Sequence, residues 1–173
     1  MLAVSGATLA TLAGCMSRGT VLAAETDSIH IGDGYAEMDG DPEEILLAID
    51  GTWELDTTAE DPDRLRFTLM VEYDGVAEEL DEDVIFGPDP SSEGTFGVSG
   101  DVLEHPDLDP AMFNDGAGSE VEKELTVIVV AQLIDNASIE AEVSVYEDAL
   151  ITIVQTGTMT GLGMSGSGEW DIE

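Results

Sequence analysis

From residue 64 to residue 73 the chain alternates without a fault. Leu65, Phe67, Leu69, Val71 and Tyr73 fall on one side of an extended backbone, and Arg64, Arg66, Thr68, Met70 and Glu72 on the other. Successive side chains of a strand point to opposite faces, so this period of two predicts a strand with one buried face. Asp74-Gly75 follows, and both residues tolerate the positive φ of a tight hairpin turn. A second regular stretch sets Val121, Lys123, Leu125, Val127, Val129, Ala131 and Leu133 against Glu122, Glu124, Thr126, Ile128, Val130, Gln132 and Ile134. It begins half exposed and becomes apolar on both sides by its middle, which predicts a central strand. Asp135-Asn136 then predicts a turn at positive φ, an antiparallel return over 137–146, a break at Glu147-Asp148 and a third strand over 149–155.

Elsewhere the pattern is weaker. Residues 20–31 hold one or two short strands, and the Gly-, Asp- and Glu-rich stretch 32–44 is expected as a solvated loop. The apolar run 45–49 ends at Asp50-Gly51, a turn signal ahead of Trp53 and Leu55. Shorter strands are expected at 84–86 and 95–103, with 87–92 as loop between them. Residues 104–119 form a long exposed connection, pinned to the body by Met112 and Phe113. After the Gly-, Ser- and Thr-rich stretch 156–168, Trp170 and Ile172 suggest a last edge strand. No segment keeps a period of 3.6 over three turns, and no internal repeat is present. About eight short strands with turns roughly 8 to 12 residues apart predict an all-β fold, an antiparallel β-sandwich of roughly immunoglobulin-like form. The expected organisation is a signal segment at 1–15, a tether and acidic loop with a possible first strand at 16–44, and the sandwich domain at 45–173.

Charge changes this picture. Asp and Glu total 39 against 4 Lys and Arg, a formal net charge of −35. Such a surface repels itself and opposes the compact state in dilute buffer, and acidic chains poor in aromatics are often disordered. Here 43% of the residues are hydrophobic and they fall in ordered alternations. The two facts agree if the working solvent is concentrated salt, where the screening length falls to about 3 Å at 1 M. The acidic residues then form a solvated coat of the kind a halophile's protein carries. The same balance excludes nucleic acid as a partner, since almost no Lys or Arg is present to neutralise phosphates. It also excludes unaided adsorption to anionic lipid. With Cys15 the only cysteine, no internal disulfide can form.

Candidate chemistry is sparse. Gly161-Leu162-Gly163-Met164-Ser165-Gly166 has the spacing of a dinucleotide-binding fingerprint, but seven residues remain after it, too few for the helix that mechanism needs. Asp33, Glu37, Asp39, Asp41, Glu43 and Glu44, then Asp107, Asp109, Asp115 and Glu120, offer carboxylates without the spacing of an EF-hand, and no metal or cofactor is assigned. His30 and His105 are the only histidines, and Pro106 beside His105 points to an exposed loop. No Gly-x-Ser-x-Gly elbow occurs, and with so many acids no carboxylate pair stands out for hydrolysis. Asn136-Ala137-Ser138 fits the N-glycosylation sequon and lies at the predicted hairpin turn, which makes Asn136 a candidate acceptor.

The sharpest signal is N-terminal. Residues 1–14 carry no charge, are too short in apolar length to span a bilayer, and fit the apolar region of a signal peptide. Leu12-Ala13-Gly14-Cys15 at its end resembles the lipobox of secreted lipoproteins. The resemblance implies a lipid on the thiol of Cys15, which would become the first mature residue. With the acid-rich remainder, the chain is similar to a lipoprotein of the halophilic archaea. Signals of that kind open with basic residues and Met1-Leu2-Ala3-Val4 has none, so a start upstream of Met1 is one expectation. Two other readings stay open: a short buried helix with a core cysteine, and ordinary cleavage near Val21-Leu22-Ala23-Ala24. The leading expectation is a module anchored to the outer face of the cell membrane through lipid on Cys15, binding a surface protein or glycan. The alternatives are a structural subunit of an extracellular filament or virus-like assembly, and an extracytoplasmic hydrolase.

Overall fold

The computed structural model describes residues 20–26, 34–57, 62–156, 164–165 and 169–172. The fold is all-β, two five-stranded sheets packed face to face. In chain order the strands are β1 (Val21–Thr26), β2 (Gly34–Met38), β3 (Ile45–Asp56), β4 (Arg64–Tyr73), β5 (Val76–Phe86), β6 (Ser91–Asp101), β7 (Glu120–Asp135), β8 (Ser138–Gln155), β9 (Met164–Ser165) and β10 (Glu169–Ile172). The first sheet is built on β3. On one side β6 pairs with it from Leu46 to Asp56. The other side is shared, with β1 against Gly51–Asp56 and β10 against Ile45–Ala48, and β9 beyond β10. The second sheet runs β2-β8-β7-β4-β5, antiparallel except where β2 lies parallel to β8.

The alternations place the core. Ile45, Leu47, Ile49, Trp53 and Leu55 of β3 face Leu65, Phe67, Leu69 and Val71 of β4 and Leu125, Val127, Val129, Ala131 and Leu133 of β7 across the interior. Phe67 and Phe96 stack between the two sheets, ring centroids 4.3 Å apart and planes 2° from parallel. Burying one such side chain contributes about 1.5–3 kcal/mol.

Several local expectations are corrected. Asp50-Gly51 is not a turn: β3 runs straight through it, because β6 and β1 supply ladder partners on both sides. Glu147-Asp148 does not break the 18-residue β8, which stays paired with β7 through that point, and Thr126 Oγ1 donates to Asp148 Oδ1 at 2.9 Å across it. The β7–β8 turn sits one residue later than expected. Asn136 (φ 49°) and Ala137 (φ 63°) hold its corners and Asp135 pairs with Ser138. A bulge between Leu133 and Ile134 absorbs the shift. Ser91 and Ser92 belong to β6, and the expected loop at 32–44 contains β2. Both sheets therefore take a strand from before residue 45. His30 and Cys15 lie outside the described residues, as does most of the glycine-rich motif at 161–166.

The connection between β6 and β7 is exposed along much of its length and pinned to the core at several points. Two 3-10 turns, Val102–Glu104 and Pro110–Phe113, are capped by the carboxylates of Asp101 and Asp109. They bring Val102, Leu108 and Phe113 into the core. His105 goes with them, only 1% exposed, which overturns the exposed position that Pro106 suggested. The main-chain N–H of Asp107 donates to Nδ1 at 3.2 Å, so Nε2 carries the proton and donates to Val76 O at 2.9 Å. The ring meets Tyr73 edge-on, at 6.2 Å and 89°. It is a core histidine that fastens the connection to the β4–β5 hairpin.

At one side of the sandwich the edges of the two sheets meet. A bulge opposite Leu69 and Met70 leaves Leu80 unpaired and turns Asp81 and Asp83 of β5 toward β6. Asp81 Oδ2 accepts the Ser99 N–H at 2.8 Å and Asp83 Oδ2 the Gly97 N–H at 3.4 Å. Leu80 packs against Gly100, where an added Cβ would stand 2.6 Å from Leu80 Cβ.

Candidate interaction face

The two outer faces of the sandwich differ in chemistry. On the first sheet, Asp50, Thr52, Glu54 and Asp56 of β3 point outward, all exposed, with Glu93 of β6 directly opposite Glu54. A shallow depression of about 560 Å³ lies there, lined by Ala23, Thr52, Trp53, Glu54, Glu93, Gly94 and Thr95. Its carboxylates do not converge: among the described residues no three His, Cys, Asp or Glu side chains are placed to hold a metal ion. The carboxylates of this face stand exposed along β3 and β6.

The outer face of the second sheet is built from the polar set of β4 and the second apolar set of β7. Cross-strand register arranges it in rows. Phe86, Arg64, Ile134 and Ile139 form the first, and Val84, Arg66, Gln132 and Glu142 the next. Glu82, Thr68, Val130 and Ser144 follow, and then Glu79, Met70, Ile128 and Tyr146. Phe86 is 76% exposed, Ile139 54% and Tyr146 52%, so these apolar groups stand in solvent. Phe86 and Ile139 stand at the two ends of one row, on β5 and β8, and Tyr146 lies three rows away.

The arginines of this face are unusual in so acidic a chain. Arg66 donates through Nε to Gln132 Oε1 at 3.1 Å and through Nη2 to the same oxygen, and Gln132 Nε2 donates to Glu142 Oε2 at 2.6 Å. Gln132 is a neutral relay between cation and carboxylate. The Nε of Arg64 is buried without a hydrogen-bond partner. Among the described residues neither arginine touches a carboxylate, although acids outnumber bases almost tenfold, 39 to 4. At the far end of the same face Tyr35 of β2 donates its hydroxyl to Glu37 Oε1 at 3.0 Å. That bond, with desolvation and the negative charges of Glu37 and Glu120, holds the phenol above its usual pKa.

Of the residues singled out from the sequence, Asn136 is exposed at the tip of the β7–β8 hairpin, at the end of this face. Cys15 is outside the described residues. The arginines and exposed apolar groups were missed as a site. Their signal was the apolar second set of β7, which pointed to a strand buried on both sides. No helix among the described residues is long and apolar enough to cross a membrane. No protein-family model matches this chain, and no curated protein sequence matches it.

Proposed function

We propose that the chain is an interaction module held outside the cell by a lipid on Cys15, engaging a protein surface through the outer face of the β2-β8-β7-β4-β5 sheet. The observation that carries this reading is the exposure of Phe86, Ile139 and Tyr146 on a face whose two arginines have no carboxylate partner among the described residues. Water solvates such a surface poorly, while an apolar partner with carboxylates of its own satisfies it. Export rests on the lipobox-like Leu12-Ala13-Gly14-Cys15 and on the acidic coat. Asn136, exposed at its turn, serves in this reading as a glycan acceptor. Assembly by pairing of edge strands finds less support, because the edge of β6 already gives two of its N–H groups to Asp81 and Asp83.

Membrane-impermeant labelling of intact cells, with mass spectrometry of the native N-terminus, tests the location. Surface labelling together with a lipid mass on Cys15 is the expected result. An unlabelled protein whose Cys15 is unmodified and still preceded by Gly14 would end the reading.

A further inference from the structure

The segment that joins Cys15 to the body meets it at the same end where the exposed Phe86 and Ile139 stand, and we infer that this end rests on the lipid bilayer. The inference depends on the proposed lipid at Cys15 and names what that anchor brings into contact. Only four residues, 16–19, separate Cys15 from Thr20. Whatever their conformation, the five steps from Cys15 to Thr20 span at most about 18 Å. Thr20 is tied to the body, its hydroxyl 3.0 Å from that of Thr57 in a buried contact. Thr57 N–H donates to Pro90 O at 2.8 Å, Gly87 N–H to Asp63 O at 2.9 Å, and Asn136 N–H to Asp63 Oδ2 at 2.8 Å. These bonds gather the start of β1, the end of β3, the β5–β6 connection and the β7–β8 turn at one end of the sandwich. β3 alone runs 12 residues, about 36 Å at 3.3 Å per residue. The opposite end is therefore beyond the anchor's reach unless the body lies flat.

The chemistry of the two postures decides between them. The row at the anchored end is the first of the outer face, Phe86, Arg64, Ile134 and Ile139. Of the four rows it alone has no carboxylate, since Glu142, Glu82 and Glu79 stand in the others. Lying flat would press those glutamates onto lipid, and burying an unpaired charge is costly. Standing upright brings only the first row down. Exposed apolar groups at a membrane surface settle about 5–10 Å into the boundary between headgroups and acyl chains, and Arg64 carries the charge that lipid phosphates attract. Tyr146 then stands about 20 Å farther out, three rows along β7, and the rows beyond the first remain for a protein partner. Asp63, Asp89 and Asp135 share the anchored end, so contact with anionic headgroups needs concentrated salt, where the screening length is about 3 Å at 1 M. A glycan on Asn136 leaves Phe86 free, because Phe86 is at the opposite corner of the row from the β7–β8 hairpin.

Tryptophan quenching by brominated lipid tests this on the lipidated protein, in vesicles of equal parts phosphatidylcholine and phosphatidylglycerol in multimolar potassium chloride. Phe86→Trp is expected to lose most of the emission it adds to that of the two native tryptophans, whereas Tyr146→Trp is expected to keep it. Ile139→Trp, at the other corner of the row, gives the same loss and covers the case that Phe86→Trp fails to fold. Lowering the salt should weaken the quenching while the protein stays bound through its lipid. Equal quenching of Tyr146→Trp and Phe86→Trp would overturn the inference, because the body would then lie flat. Absence of quenching at both Phe86→Trp and Ile139→Trp, in protein whose mass shows lipid on Cys15, would overturn the seat and leave the anchor standing. A bare Cys15 would remove both.

Discussion

The carboxamide of Gln155 pairs with the peptide group of Gly40 much as two strand residues pair with each other. Gly40 N–H donates to Oε1 at 3.0 Å, and Nε2 donates back to Gly40 O at 2.8 Å. The same Nε2 donates to Phe113 O at 3.1 Å, and Gln155 is 2% exposed. Through one side chain the end of β8 holds the segment after β2 and the connection that closes the core. Its main chain adds to the junction, accepting from Gly118 N–H at 2.6 Å and donating to Ser119 O at 2.9 Å.

Gln155→Leu keeps the volume and strands three polar groups, the N–H and C=O of Gly40 and the C=O of Phe113. Each buried group left without a partner costs about 1–3 kcal/mol, so an overall loss of roughly 3 kcal/mol is expected in denaturant unfolding at high salt. Gln155→Glu should be at least as damaging, because a carboxylate cannot donate to the two carbonyls it would face. A change below the error of the unfolding curve would show that the junction does not hold this end of the sandwich.

The edge seal makes a second expectation. A free sheet edge is a template for unwanted strand pairing, and inward-pointing charges are one way to close it. Asp81→Asn retains an oxygen able to accept from Ser99 N–H and should cost little. Asp81→Ala with Asp83→Ala removes both acceptors, and a net loss of about 0.5–1.5 kcal/mol per hydrogen bond is expected, toward the lower end at this exposed position. The double variant should also aggregate on concentration, seen by light scattering, where the asparagine variant does not. Equal behaviour of the two would show that the carboxylates serve only solubility.

Much of this architecture was legible in the residues, and the parts that were not share a cause. The strand from Arg64 to Tyr73 could be bounded to the residue because one face enters the core and the other meets solvent, so polarity and period agree. β3 and β8 could not, because Asp50-Gly51 and Glu147-Asp148 are good local turn sequences overruled by neighbours far along the chain. β2 pairs with β8 more than a hundred residues away, and a short acidic stretch gives no sign of so remote a partner. The character of this outer face was hidden by a sound but incomplete inference. Ile128 and Ile134 are indeed buried, 7% and 5% exposed, yet they lie on the outer face, among residues of adjacent strands in their own sheet. What the alternation could not reveal is that the row beside them ends in exposed Tyr146 and Ile139.

Tyr35 predicts a pH dependence with a definite sign. The neutral phenol donates to the Glu37 carboxylate, so the folded state holds that proton more tightly than the unfolded chain does. A raised folded pKa contributes stability that is fully present below the ordinary tyrosine value of about 10. It is lost as pH rises through the folded value, since the unfolded state then binds fewer protons. Ultraviolet titration of the three tyrosines should show one phenolate forming above the usual range, and Tyr35→Phe should remove that phase. If the late phase survives in Tyr35→Phe, the assignment to the Glu37 contact is wrong.

The two hairpin turns differ at their second position by one methyl group, and the difference can be measured. Asp74-Gly75 and Asn136-Ala137 both place two successive residues at positive φ, 50° and 81° in the first, 49° and 63° in the second. Glycine enters that region freely, whereas an alanine there crowds its Cβ against the following carbonyl at a cost of about 1–2 kcal/mol. Ala137→Gly should therefore stabilise the protein, though by less than that sum, because glycine also frees the unfolded chain by about 0.4–1 kcal/mol. A net gain of roughly 0.5 kcal/mol is expected. The sequon is retained in this variant, since its middle position accepts any residue but proline. Gly75→Ala has nothing within 4 Å of its new Cβ to repel it, so any loss reports the backbone alone, and its sign should be opposite. Paired unfolding midpoints of the two variants decide it: a loss in both would mean that strain at Ala137 is not what distinguishes the turns.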